Sequence, residues 1–208
     1  MYIPTLNLTT DRYEMISFMR QFSFATIITA KNHFPVATHL PFLVTTVDEK
    51  VILTSHFAKA NEQWKDIVDQ PVLVIFCGPH AYISPTHYES KLNVPTWNYM
   101  SVHAYGQGNL ISDQTQTLKI IEKTIDNFES AYRPQWETLP DTYKSAMING
   151  IVAFEIEISD LQGKKKLSQN KKETEKQKII DTLSKSVDTN EQWIAAYMKK
   201  DQPENNQE

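Results

Sequence analysis

The segment 151–158 reads IVAFEIEI: Phe154, Ile156 and Ile158 fall on one side of an extended backbone, and Glu155 and Glu157 on the other. Strict alternation marks a strand that is buried on one face and wet on the other. Antiparallel sheets allow that arrangement, whereas parallel sheets are covered on both faces. Five more segments share the enrichment in β-branched and aromatic residues: FATIITA (24–30), VATHLPFLVT (36–45), VILTSHF (51–57), VLVIF (72–76) and SVHAYGQGNLI (101–111). Six strands met largely in succession predict a small antiparallel barrel rather than a doubly wound parallel sheet.

Helical periodicity predicts covering elements. Residues 11–22 place Met15, Phe18, Met19 and Phe22 on one face, and residues 115–128 place Leu118, Ile121, Ile125 and Phe128 likewise, with Ser112 or Asp113 as N-cap. Shorter helical pieces are expected at 61–68 and 141–147. Beyond the sixth strand the composition changes to KKKLSQNKKETEKQK, followed by helix-like IIDTLSKS and NEQWIAAYMKK and by DQPENNQE, which reads as a frayed end. The expected organisation is a main domain over 1–170 and a helical extension over 171–208.

At 208 residues and 40% hydrophobic, the chain suffices for one well-buried domain with such a tail. A formal net charge of −4 lacks the basic footprint of a nucleic-acid binder. The start, MYIPTLNLTTDRYEM, has no basic residues leading into an apolar core, and no later run reaches membrane-span length, so a cytoplasmic protein is expected. Cys77 is the only cysteine; at the end of VLVIFC it reads as a small buried hydrophobe.

The stretch GPHAYISPTHYESKLNVPTWNY (78–99) shows no apolar period and holds two histidines, three tyrosines, a tryptophan and three prolines. Strand connections are usually about two to five residues, so a stiff, aromatic, polar loop of this length predicts function. Tyr82, Tyr88, Trp97 and Tyr99 offer faces for stacking, or simply packing beneath the loop.

The sequence holds no GxGxxG, P-loop, HExxH or GxSxG motif, so dinucleotide turns, metal ligation and a serine nucleophile find no support. Anion binding fits better. SHFAKAN (55–61) closes a strand and opens a helix, gathering Ser55, His56, Lys59 and Asn61 at a helix N-terminus; a plain polar turn would read the same way. KKKLSQNK (164–171) is a second cationic cluster.

The blocks MYIP, THLPFLV, SHFAKANEQW, VIFCGPHAYISPTHY, VPTWNYMSVHAYG, RPQWETLP, GIVAFEIEI and GKKKLSQNK resemble, in order and spacing, the PaiB-like FMN-binding negative transcriptional regulators. The resemblance covers residues 1 to about 171. It implies the FMN-binding split barrel, a six-stranded antiparallel barrel with peripheral helices, usually a homodimer with flavin at the subunit interface. It points to FMN phosphate at His56, Lys59 and Asn61, with Lys166, Ser168 and Gln169 contributing. It places Trp97, Asn98 and Tyr99 nearest the isoalloxazine, with His87 and Tyr88 at the mouth on the substrate side.

Two positions depart from the family pattern: His87 stands where a tryptophan is frequent, and Lys171 where an arginine is. The second exchange turns a forked anion contact into a point charge. The resemblance also implies two alternatives, a flavin-dependent oxidoreductase using NAD(P)H and a haem-binding or haem-degrading split barrel. Direct DNA contact is not expected, because the only basic run is broken by Glu173 and Glu175.

Overall fold

The computed structural model describes residues 1–31 and 33–201. In chain order the elements are β1 (Leu8–Thr9), α1 (Arg12–Gln21), β2 (Phe24–Lys31), β3 (Phe34–Pro41), β4 (Leu43–Val47), β5 (Lys50–Ala58), β6 (Val72–Ile83), β7 (Thr96–Ile111), α2 (Gln114–Glu129), α3 (Arg133–Thr138), α4 (Asp141–Asn149), β8 (Ile151–Lys166), α5 (Glu173–Leu183) and α6 (Thr189–Lys200). Beyond Asp201 the expected frayed end lies outside the described residues.

Eight strands therefore replace the six expected. Their order is β3-β2-β6-β7-β8-β5-β4, with β1 paired to β8 off that path, so ladder hydrogen bonds do not close the sheet into a ring. The fold is mainly antiparallel β with covering helices. Two causes account for the count. The expected strand 36–45 is two strands separated by Phe42, whose side chain is buried and whose N–H donates to Ser23 O at 2.9 Å. The pair Leu8–Thr9 was too short to carry a pattern, and joins the sheet through Leu8↔Lys164 and Thr9↔Gly163.

Three strands run longer than their sequence signals. In β6 the buried set is Val72, Val74 and Phe76, then Pro79, Ala81 and Ile83: the inward phase passes from even to odd numbers across Cys77–Gly78. That shift masks the second half of the strand, so the loop expected over 78–99 is shorter: the connection between β6 and β7 is only residues 84–95. It also exposes Cys77, contrary to the expectation of a buried thiol. In β7 the inward residues are Asn98, Met100, Val102, Ala104, Gly106 and Gly108, an even-numbered row whose polar and glycine members mask its period. The glycine at 106 is dictated by space, since a Cβ there would lie 2.2 Å from Glu157 O. In β8 the alternation of buried Phe154 and Ile156 with exposed Glu155 and Glu157 is as expected, but the strand continues to Lys166.

The chain divides into two compact units. One comprises Arg12–Phe76 and His103–Leu161 and packs around Phe42, Phe57, Phe76 and Phe154. Phe57 stacks on Phe154 at 4.8 Å, and Phe42 meets Phe76 and Phe154 edge-on at 5.9 and 6.2 Å. Each such ring contributes about 1.5–3 kcal/mol through burial. Here β2 pairs with β3 and β6, and β5 with β4 and β8. Ser55 Oγ in β5 donates to Pro41 O in β3 at 2.7 Å, joining strands that are not ladder neighbours. Asp113 caps α2 by accepting from Gln116 N, as expected. The buried positions of α2 are Thr117 and Ile120, however, while Phe128 is exposed.

The other unit comprises Met1–Asp11, Cys77–Val102 and Gln162–Glu208. Its apolar core includes Ile83 and Leu167 and the inward residues of α5 and α6, namely Ile179, Ile180, Leu183, Ile194 and Met198. The two terminal helices thus pack within this unit. Glu175 in the first turn of α5 is buried and accepts from Glu89 N at 2.9 Å and from Lys172 N at 3.3 Å, fastening the 84–95 connection to the helix.

Candidate functional site

Within the unit that holds the C-terminal helices, the ends of β7 and β8 and the 84–95 connection enclose a cavity of about 250 Å³. β8 ends at Lys166 and the chain turns at once: Ser168 adopts φ 61, a left-handed conformation unusual for a residue with a Cβ, and Lys171 N–H donates to Ser168 O. Gln169 stitches this turn, accepting from Leu167 N at 2.8 Å and donating to Lys165 O at 2.6 Å. The buried Asn98 side chain accepts from Ser168 Oγ at 3.1 Å and donates to Met198 Sδ at 3.5 Å.

Two ammonium groups line this cavity. Lys166 Nζ donates to Trp97 O at 2.8 Å and to Thr96 Oγ1. Lys171 Nζ donates to Asn93 Oδ1 at 2.8 Å and stands 3.7 Å from the centre of the Tyr88 ring. All of these partners are neutral, and the cavity lining contains neither Asp nor Glu. Burial, with a lesser contribution from neighbouring Lys164, holds the Lys166 pKa below the ordinary lysine value, against the opposing influence of Tyr99. An anion in the cavity would relieve that penalty.

Lys166, Ser168, Gln169, Asn98 and Tyr88, five of the residues singled out in the sequence, therefore line one cavity. Lys171, Asn93 and Thr96 line it too. Lys171 closes the cationic cluster 164–171 and also departs from the family pattern; Asn93 and Thr96 lie on either side of Val94 and Pro95 in a stretch without period. Trp97 and Asn98, adjacent on β7, point to opposite faces, Trp97 being exposed and Asn98 fully buried. Trp97 lies against His80 at 5.8 Å and Tyr82 at 5.9 Å, forming an exposed aromatic group. Tyr99, half-buried, lies under Lys164 Nζ at 5.2 Å. His87 sits in the 3-10 turn Pro85–His87, its pKa lowered by burial and then by Lys178.

The remaining three candidates lie in the other unit. His56 is half-buried in β5 opposite Ala153, and burial lowers its pKa. Lys59 is exposed just past β5, with its N–H bonded to Gly150 O. Asn61 caps the 3-10 helix Glu62–Asp66, accepting from Gln63 N and donating to Thr38 Oγ1 at 2.9 Å. The expected helix at 61–68 is thus a single tight turn. Its cap is already occupied, and its first residue, Glu62, is acidic.

A family model described as "Putative FMN-binding domain" matches residues 1–160. The chain belongs to this FMN-binding family. It is 37% identical to the protease synthase and sporulation protein PAI 2 of Bacillus subtilis, over 96% of this chain and 97% of that protein. An uncharacterised protein of Saccharomyces cerevisiae is 31% identical over 50% of this chain and 64% of its own length. Among solved structures, the flavocytochrome Anf3 of Azotobacter vinelandii superposes with a TM-score of 0.61 at 17% identity, covering 76% of this chain and 68% of its own. A FAD- and haem-binding protein of Mycobacterium smegmatis gives 0.59 at 15%, covering 77% and 73%. These two likenesses establish a shared fold.

FMN is the ligand of the matched domain, and the chemistry of the cavity suits its phosphate: two cations, three hydroxyls and several amides without a competing carboxylate. FMN supplies hydride or single-electron exchange at its flavin ring; the protein supplies position and electrostatics. At about 250 Å³ the cavity is smaller than the roughly 300–1,000 Å³ of pockets that enclose a whole organic ligand. It suits one end of the cofactor.

Proposed function

We propose that this protein is a homodimeric, cytoplasmic FMN-binding split barrel in which Lys166, Ser168 and Lys171 take the cofactor phosphate, with Gln169 and Asn98 holding the turn that presents them. The observation that carries the reading is the cavity itself, where two ammonium groups with only neutral partners face a space free of acidic side chains. The Ser55–Pro41 bond supports a sheet that curls as a barrel does.

Size and exposure support the dimer. A cavity that fits one end of FMN leaves the isoalloxazine needing a second surface. Trp97 and Tyr82 remain 52% and 46% exposed and lie 5.9 Å apart, an aromatic surface for a second copy to cover. Because Trp97 points away from the face of Asn98, it serves the contact with a second copy rather than the phosphate. Regulation of gene expression in this family then needs no DNA-reading surface in the lysine-rich segment. There Lys165, Lys172 and Lys176 pair with Asp201, Glu89 and Glu173, while Lys166 and Lys171 face the cavity.

The test is FMN titration followed by visible absorbance and flavin fluorescence, with mass measured during size-exclusion chromatography. One FMN per subunit of a dimer is expected, and Trp97→Glu should give monomers. A protein that ignores FMN, or binds it fully as a monomer, would overturn the corresponding half of the proposal.

A further inference from the structure

The Tyr88 hydroxyl is buried, lines the cavity and makes no hydrogen bond of good geometry among the described residues, with the Ser168 side chain its one polar neighbour close enough to interact. A buried hydroxyl left unpaired is costly, and a site that keeps one usually has a use for it. Three further features converge on it. Lys171 Nζ rests against the Tyr88 ring, so the phenol and an ammonium group reach the cavity together. Ser168, the polar neighbour of the phenol, donates its own hydroxyl to Asn98. It is held in a left-handed conformation, the kind of local strain that persists where surroundings impose it. Each carboxylate oxygen of the nearby acid, Glu175, already accepts from a backbone N–H, those of Glu89 and Lys172.

We infer that Tyr88 is an anion-binding residue, whose hydroxyl joins Lys166 and Lys171 to make this cavity a receptor for a terminal phosphate monoester. A monoester dianion offers three strong acceptor oxygens, matching one phenol and two ammonium donors. The phosphate of FMN and that of a free phosphorylated metabolite share this chemistry. Where the monoester is that of FMN, the inference rests on the flavin reading and adds its specificity: FMN is chosen over riboflavin, which lacks the phosphate.

Calorimetric titrations of the full chain with inorganic phosphate, FMN and riboflavin, on the native protein and Tyr88→Phe, separate the cases. The variant keeps the ring and its contact with Lys171 and loses only a hydroxyl that makes no hydrogen bond of good geometry. Its ligand-free melting temperature should therefore be equal or higher, a result that a structural role for the hydroxyl would not give. FMN and phosphate should compete, both should bind about tenfold more weakly to the variant, and riboflavin should be unaffected. If phosphate binds, weakens in the variant, and yet is not displaced by FMN, the monoester belongs to another molecule; the anion site stands and the flavin placement fails. Unchanged affinity of the variant for both phosphate and FMN, or a native protein that binds neither, would overturn the inference.

Discussion

Two lysine-bearing segments, 55–61 and 164–171, look alike as sequence: each closes a strand, carries serine and amide side chains, and precedes a turn. The folded chain uses them oppositely. In the first, Ser55 donates to Pro41 O, Asn61 caps the following turn and binds Thr38, and Gln63, two residues on, is buried among backbone acceptors. In the second, Ser168, Lys166 and Lys171 border a cavity, and their bonds go to neutral groups that an anion could join or displace. One segment spends its polar groups on architecture, and the other keeps them available. Composition does not distinguish the two; the bookkeeping of hydrogen-bond partners does.

The largest expected effect belongs to the architectural segment. Gln63 Nε2 reaches Val36 O at 3.0 Å and Thr29 Oγ1 at 3.2 Å, and Gln63 Oε1 accepts from Thr38 Oγ1 at 2.6 Å, all in a residue that is 3% exposed. Gln63→Ala orphans several of these groups, and each buried unsatisfied group costs about 1–3 kcal/mol. Denaturant unfolding should show a loss on the order of 3 kcal/mol, while FMN affinity of the folded fraction stays as it was. A variant of native stability would mean that the network is not structural.

Lys166→Met should do the reverse. Removing a desolvated ammonium group with neutral partners should leave thermal stability unchanged or raise it. FMN should bind about 10- to 100-fold more weakly, the equivalent of one charged hydrogen bond of roughly 1.5–3 kcal/mol. Riboflavin binding should not move. Destabilisation with unchanged FMN affinity would place Lys166 on the architectural side of the comparison.

Much of the fold was legible because strands with one buried face write their period into the sequence: 24–30 became a strand close to the expected bounds, and 151–158 became the first half of one that runs on to Lys166. What escaped is equally physical. The half of β6 after Cys77 was hidden by a change of phase, and the start of β7 by an inward row that holds Asn98, Gly106 and Gly108 instead of large apolar residues. The candidate site was half legible. Lys166, Ser168 and Gln169 are contiguous and chemically suggestive, whereas Asn93 and Thr96 join them only through a turn whose path is set by the clamp between Glu175 and the Glu89 backbone.

Lys59 gives the smallest expected effect and the most discriminating one. Its side chain is exposed and has no partner among the described residues, so Lys59→Ala removes a solvated charge and should change stability by less than about 0.5 kcal/mol. If the phosphate lies between Lys166 and Lys171, FMN affinity should fall less than twofold, the residue of long-range attraction that salt screens. A tenfold loss, insensitive to salt, would instead show a direct contact in segment 55–61. It would return the phosphate to the segment whose other polar groups are already committed. Since the cap at Asn61 and the half-buried His56 could then add little, nearly all the anion affinity of that segment would have to come from one lysine. A single exposed ammonium group is a weak basis for holding a cofactor, and the cavity with two ammonium groups is therefore the better home for the phosphate.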